Sequence, residues 1–234
     1  MPEPGTPTEL EFDPVRHARA LFGEVPWRRY AAIGDSTTEG LGDPTPGYPD
    51  MGWAEMIATA LRAVRPDLEY LNVGKRFLRA KQVRESQLSR VLEFEPDLVS
   101  VVIGGNDMLP EHFSAASVEE EFEGIVAPLR EHGATVFGCT MFNIFSAGVM
   151  HPDAVSYLEP RYLELNDAVR RVAKRHDMRL VDLAHEPVSR RPEIYSKDLQ
   201  HATRLGHAAT AVLMLEELAR SGPASAPEHP PEAQ

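Results

Sequence analysis

Apolar positions along the chain fall into two alternating periods. Tyr30 to Ile33 is a short apolar run with the length of a strand, whereas Gly52 to Val64 places Trp53, Met56, Ile57, Ala60, Leu61 and Val64 at helical spacing until Pro66 stops it. Leu68 to Val73 reads as a strand, Leu78 to Phe94 as a helix, and Leu98 to Ile103 as a continuous, mostly β-branched run suited to a sheet buried on both faces. The alternation continues with a helix near Val118 to His132, a strand at Thr135 to Cys139, a helix from about Pro160 to His176, a strand at Leu180 to Leu183 and a last helix from about Arg204 to Arg220. Upstream, Asp13 followed by Pro14 is an N-cap with proline at the first helical position, opening a helix through Phe22. Strands separated by helices imply a three-layer α/β/α sandwich around a five-stranded parallel sheet with right-handed crossovers.

Composition narrows this picture. At 234 residues and 42% hydrophobic, the chain has the length of one domain, expected over residues 13–220. Residues 1–12 and 221–234, rich in Pro, Glu, Ala and Thr with few bulky apolar side chains, read as flexible tails. The net charge of −12 disfavours nucleic acid as a partner. One cysteine, Cys139, rules out an intramolecular disulfide. The N-terminus lacks the basic and apolar regions of a secretory leader, and no stretch approaches the ~18 apolar residues of a membrane span. The expectation is a cytoplasmic protein acting on a small molecule. Oligomeric state is not legible.

In parallel α/β sheets, chemistry gathers beyond the carboxyl ends of the strands. Four polar stretches lie there: Gly34-Asp35-Ser36; the segment with Asn72, Gly74 and Phe77; Gly104-Gly105-Asn106-Asp107; and Asp198-Leu199-Gln200-His201. A serine hydroxyl is a poor nucleophile without a base, and the base needs a third group to fix its tautomer; Ser36, His201 and Asp198 meet that need. The Asn106 amide and the Ser36 N–H could stabilise the oxyanion of a tetrahedral intermediate. Each piece alone has a plain structural reading. Gly-Asp-Ser suits a turn after a strand, Gly-Gly-Asn-Asp suits a tight turn, and with nine histidines an Asp-x-x-His pair arises by chance about half the time. Their joint placement at strand ends is what favours a site.

These blocks resemble those of the SGNH or GDSL-type hydrolases, over about residues 27–220. "GDSTTEG" is similar to the family's first block, with Thr37 in place of its usual leucine. "GGNDML" resembles the third, and "DLQHATRLGH" the fifth. The resemblance implies a flavodoxin-like fold and cofactor-free acyl chemistry. Ser36 would be the nucleophile, His201 the base, Asp198 its orienting acid and Asn106 an oxyanion-hole amide. A departure lies in the second block, where Phe77 stands at the position of a glycine whose N–H is the third oxyanion donor. Three outcomes are open: Phe77 donates and its ring narrows the acyl pocket, the hole keeps two donors, or Gly74 donates instead. The implied activity is ester hydrolysis through an acyl-enzyme, with acyl transfer to another hydroxyl, or a weakened binding protein on the same scaffold, as alternatives.

Elsewhere, Thr140 to Tyr157 mixes Met, Phe and Ile with polar residues and is either a lid carrying His151 into a substrate pocket or a surface loop folded onto the core. No metal-ligand spacing, P-loop or dinucleotide fingerprint occurs. The cations Lys75, Arg76, Arg79, Lys81 and Arg84 read mainly as a solvated face, with an anionic substrate group as the second reading.

Overall fold

The computed structural model describes residues 10–220. Five strands, β1 (Arg29–Gly34), β2 (Glu69–Asn72), β3 (Leu98–Val102), β4 (Thr135–Cys139) and β5 (Arg179–Val181), form one sheet in the order β2-β1-β3-β4-β5. Every pairing is parallel. Among the described residues seven α-helices accompany them: α1 (Pro14–Leu21), α2 (Ser36–Glu39), α3 (Trp53–Arg62), α4 (Ala80–Glu93), α5 (Ala115–Glu131), α6 (Pro152–Arg175) and α7 (Arg204–Arg220). This is the expected three-layer α/β class, in flavodoxin-like strand order.

The period of two along each strand divides the core. Ala31, Ile33, Val99, Val101 and Val136 face α4, α5 and α6, where they meet Val83, Phe122, Ile125 and Leu165. Tyr30, Ala32, Leu98 and Phe137 face α1, α3 and α7, packing with Ala18, Ile57, Leu61, Met214 and Leu215. The order of strands reverses at β1, between β2 and β3. A cleft must therefore open beyond the carboxyl end of β1, the strand that leads into Ser36.

Some boundaries differ from the sequence pattern. Helix α6 begins at Pro152, two turns before the expected start at Pro160. His151 caps it by accepting from the Asp153 N–H at 3.3 Å, and Pro152 fits the first turn. Pro160 sits inside this helix, at the cost of one backbone hydrogen bond. Strand β5 is shorter than expected, ending at Val181. The one-turn α2 was not apparent in the sequence because four residues are too few to show a period. The expected tail residues 1–9 and 221–234 lie outside the described residues; within them, Glu11 pairs with Arg191 at 2.6 Å and Phe12 packs against the body.

The end of β1 is fixed by a polar residue in an apolar row. On α4, Val83, Gln87 and Val91 are all buried at i, i+4, i+8 spacing. Gln87 Oε1 accepts from the Gly34 N–H at 3.0 Å, and its Nε2 donates to the Gly34 carbonyl at 2.8 Å. A side chain at position 34 is impossible: a Cβ there would lie 2.4 Å from the Val102 carbonyl oxygen. Replacing Gln87 with Leu would strand a buried N–H. Urea unfolding of Gln87→Leu is therefore expected to show a loss of about 1–3 kcal/mol, and a loss below about 0.5 kcal/mol would mean that the bridge does not hold the strand end.

Candidate active site

Ser36 is the first residue of α2, so its N–H lies among the unpaired donors of a helix start and has no acceptor among the described residues. Asp35 caps this turn, accepting from the Thr37 N–H at 3.0 Å and the Thr37 hydroxyl at 3.1 Å. Burial raises the Asp35 pKa against those hydrogen bonds. The Ser36 side chain sits almost out of solvent and its Oγ lies 2.8 Å from His201 Nε2. His201 Nδ1 in turn lies 2.6 Å from Asp198 Oδ2.

Asp198 is embedded in its own turn. Its Oδ1 accepts from the N–H groups of Gln200 at 2.9 Å and His201 at 3.0 Å, while Leu199 between them takes a left-handed φ of 55°. Burial pushes the Asp198 pKa up, but the His201 bond and these N–H groups outweigh it and the net shift is downward. An ionised carboxylate only accepts, so the proton on the neutral imidazole belongs on Nδ1, leaving Nε2 to accept from the Ser36 hydroxyl. This arrangement can draw a proton from Ser36 as its oxygen attacks.

The loop bearing His201 is held from both sides. The Ser196 N–H donates to the His201 carbonyl and the Thr203 N–H to the Ile194 carbonyl. The Ser196 hydroxyl donates to the Ala202 carbonyl at 3.0 Å and accepts from the Asp43 N–H at 2.8 Å. Asp43 answers by accepting from the Lys197 N–H, and the buried Arg204 reaches Asp50 and the Gly40 carbonyl. Ser196, Asp43 and Arg204 did not stand out in the sequence, because their roles depend on the contact between two distant loops. Gln87 left a signal, a polar residue in a helical row of core positions.

Asn106 lies in a 3-10 turn, Gly105–Asp107, entered through Gly104 at φ 104°, where a Cβ would strike Leu165. One amide hydrogen of Asn106 goes to the Leu78 carbonyl at 2.9 Å, and the residue lines the cleft beside Ser36. Asp107 caps α4 through the Ala80 N–H at 3.0 Å. The second block runs between these parts. The Gly74 N–H is taken by Asn72 Oδ1 at 2.8 Å, which removes Gly74 as a donor. Arg76 is tied to Glu39 at the end of α2 by its N–H and its guanidinium, and Leu78 is tied to Asn106. Phe77 lies between them with a left-handed φ of 68°, and its N–H has no acceptor among the described residues. The residue is 82% exposed and does not line the cleft, so its ring does not narrow the cleft as one of the three outcomes had it. The left-handed backbone sends the ring into solvent.

The cleft walls come from the segment that read as a lid or a folded-back loop. Met141, Phe142, Phe145 and Met150, with Leu158 and Tyr162 of α6, line it together with Ser36. Backbone bonds from Met141 to Asn166 and from Asn143 to Ser189 tie the segment down. His151 caps α6, is exposed, and is absent from the cleft wall, so it does not enter the pocket as one of the two readings had it. Of the five surface cations, Arg76, Lys81 and Arg84 pair with Glu39, Glu85 and Glu121. No group of three or more potential metal ligands occurs among the described residues, and no helix among them is long and apolar enough to cross a membrane.

A parallel α/β sheet with a Ser-His-Asp chain at its reversal point defines the hydrolase class with a flavodoxin-like fold. The sequence matches the GDSL-like lipase/acylhydrolase family over residues 32–209, and the chain belongs to that family. Comparison with curated proteins returned no match. Among solved structures, the lipase/acylhydrolase from Enterococcus faecalis is similar at 20% identity and TM-score 0.65, over 85% of this chain and 100% of that one. The acetylxylan esterase Axe2 from Geobacillus stearothermophilus is similar at 21% identity and TM-score 0.64, over 82% and 94%. The esterase EstA from Pseudoalteromonas sp., in a structure inhibited by monoethylphosphonate, is similar at 14% identity and TM-score 0.60, over 82% and 97%.

Replacing Phe77 with Gly separates backbone from ring. Relief of the left-handed strain, roughly 1 kcal/mol, and the entropic cost of glycine, about 0.5–1 kcal/mol, nearly cancel, so thermal stability should stay close to that of the parent. Ester turnover by Phe77→Gly is expected to keep kcat within about threefold, because the N–H remains. A fall beyond about tenfold would assign the ring a part in the reaction.

Proposed function

We propose that the protein is a serine-dependent carboxylic-ester hydrolase working through an acyl-enzyme on Ser36. The observation that carries this reading is the unbroken hydrogen-bonded chain from Asp198 through His201 to Ser36 Oγ. Ser36 Oγ attacks the ester carbonyl carbon while His201 Nε2 takes its proton. Asp198 holds the imidazole in the acting tautomer and favours the imidazolium that forms. The oxyanion is met by the Ser36 N–H and the Asn106 amide, with the Phe77 N–H, which has no acceptor among the described residues, as the proposed third donor. Collapse of the intermediate breaks the bond to the alcohol oxygen, which leaves with the proton from His201. Water, deprotonated by His201, then releases the acid and restores Ser36.

The protein's own residues suffice for this chemistry, and the proposal involves no cofactor. Met141, Phe142 and Phe145 beside Ser36 favour an apolar acyl group.

Incubation with a fluorophosphonate followed by intact-mass and peptide analysis should give one adduct, located on Ser36. Ser36→Ala should give none and should lose at least about 10⁴-fold in hydrolysis of p-nitrophenyl acetate. An unmodified Ser36, or a Ser36→Ala variant of unchanged rate, would remove the proposal.

A further inference from the structure

Two cavities adjoin His201. The first is the cleft already described, with Ser36 and Asn106 in its wall. The second, of about 120 Å³, shares Thr37, Met141, Phe142, Ile144 and the run Leu199 to His201 with the first but has neither Ser36 nor Asn106. It reaches down to Val102 and Cys139 at the ends of β3 and β4, to Trp53 of α3 and to Thr210 of α7.

The polar groups deep in this second cavity are engaged within the protein. Thr140 Oγ1 donates to Asp182, Thr210 Oγ1 to the Gly206 carbonyl, and the Tyr195 hydroxyl to the Ser189 carbonyl. His207 accepts from the Trp53 N–H through Nδ1 and donates to the Leu41 carbonyl through Nε2. Burial lowers the His207 pKa to about 4 and raises that of the Cys139 thiol to about 12, so both are neutral near pH 7. What remains for a ligand is methyl groups, rings, a thiol and, in the wall shared with the first cleft, the Gln200 side-chain amide. No Lys, Arg, Asp or Glu lines the cavity, so a charged group entering it would lose hydration without compensation. Apolar cavities of ~150 Å³ take up benzene, so this one has room for about one ring or a short alkyl chain.

The chemistry decides which half of an ester goes there. The carbonyl carbon must meet Ser36 Oγ and its oxygen must meet Asn106, so the acyl group belongs in the cleft that contains both. The departing alcohol oxygen must take its proton from His201 Nε2 and therefore lies on the His201 side. Resting on the proposed ester hydrolysis, we propose that the second cavity is the alcohol subsite, and that the preferred substrates carry an apolar alcohol portion, aryl or short alkyl.

Methyl and benzyl acetate share an acyl group, and their alcohols are of similar acidity, so the ratio of their kcat/KM values reads the alcohol subsite. The wild-type protein is expected to favour the benzyl ester by about tenfold or more. Thr210→Leu and Cys139→Phe, which fill the cavity from the helix and from the sheet, should each cut that ratio to about threefold or less, while the relative rates on methyl acetate and methyl hexanoate keep the wild-type ratio. Equal wild-type kcat/KM for methyl and benzyl acetate would overturn the subsite without any variant having to fold. So would variants that shift the acyl-length ratio and leave the benzyl preference intact. Failure to cleave any ester, together with no fluorophosphonate adduct on Ser36, would instead remove the hydrolase reading on which this subsite rests.

Discussion

The hydrogen bond between Ser36 Oγ and His201 Nε2 joins residues 165 apart in sequence, and much of the surrounding structure serves to bring those two atoms to 2.8 Å. One end is set by β1, whose last residue is clamped by both polar atoms of the Gln87 side chain. The other end is set by a loop that has little regular structure of its own. It is held by the Asp198 turn, by the Ser196 bonds, and by the bonds of Ser196 and Lys197 to Asp43 and of Arg204 to Gly40 in the segment that follows α2. Thus the residues just downstream of Ser36 also fix the loop that carries its partner. In the proposed mechanism the proton transfer from Ser36 to His201 depends on placement to about an ångström, which this cross-bracing would secure.

Of the four non-glycine residues with left-handed φ among the described residues, two lie at this site, while Glu95 and Asp177 follow α4 and α6. Phe77 and Leu199 take left-handed φ angles that side chains disfavour, and one lies beside Asn106 while the other lies inside the Asp198 turn. Such conformations persist when neighbours over-determine them. At Phe77 the neighbours are the Arg76–Glu39 link and the Leu78–Asn106 bond. At Leu199 they are the N–H groups converging on Asp198. Both features use backbone rather than side chain, so a phenylalanine at position 77 keeps an N–H free to donate.

Much of the fold was legible in the sequence because a buried parallel sheet writes itself as apolar runs separated by helical periods. Leu98 to Ile103 and Thr135 to Cys139 are examples, found close to where they were expected. The start of α6 was not legible, since Pro160 resembled a boundary and the cap at His151 leaves only a weak trace. For the site, the order of Ser36, Asn106, Asp198 and His201 at strand ends pointed to one cluster, and the structure brings Ser36, His201 and Asp198 into one hydrogen-bonded chain. Beyond the sequence lay the exposure of the Phe77 ring, the bracing by Ser196, Asp43 and Arg204, and the two cavities, whose walls are drawn from segments far apart along the chain.

The central claim is that Ser36 and His201 act as one unit rather than as two independent contributors. A double-mutant cycle on ester hydrolysis, comparing Ser36→Ala, His201→Ala and the double variant, tests it directly. If the pair is a unit, the double variant should be no slower than either single variant within about threefold, because removing one partner already removes the activated hydroxyl. Losses that multiply, so that the double variant falls by the product of the two single effects, would contradict the account.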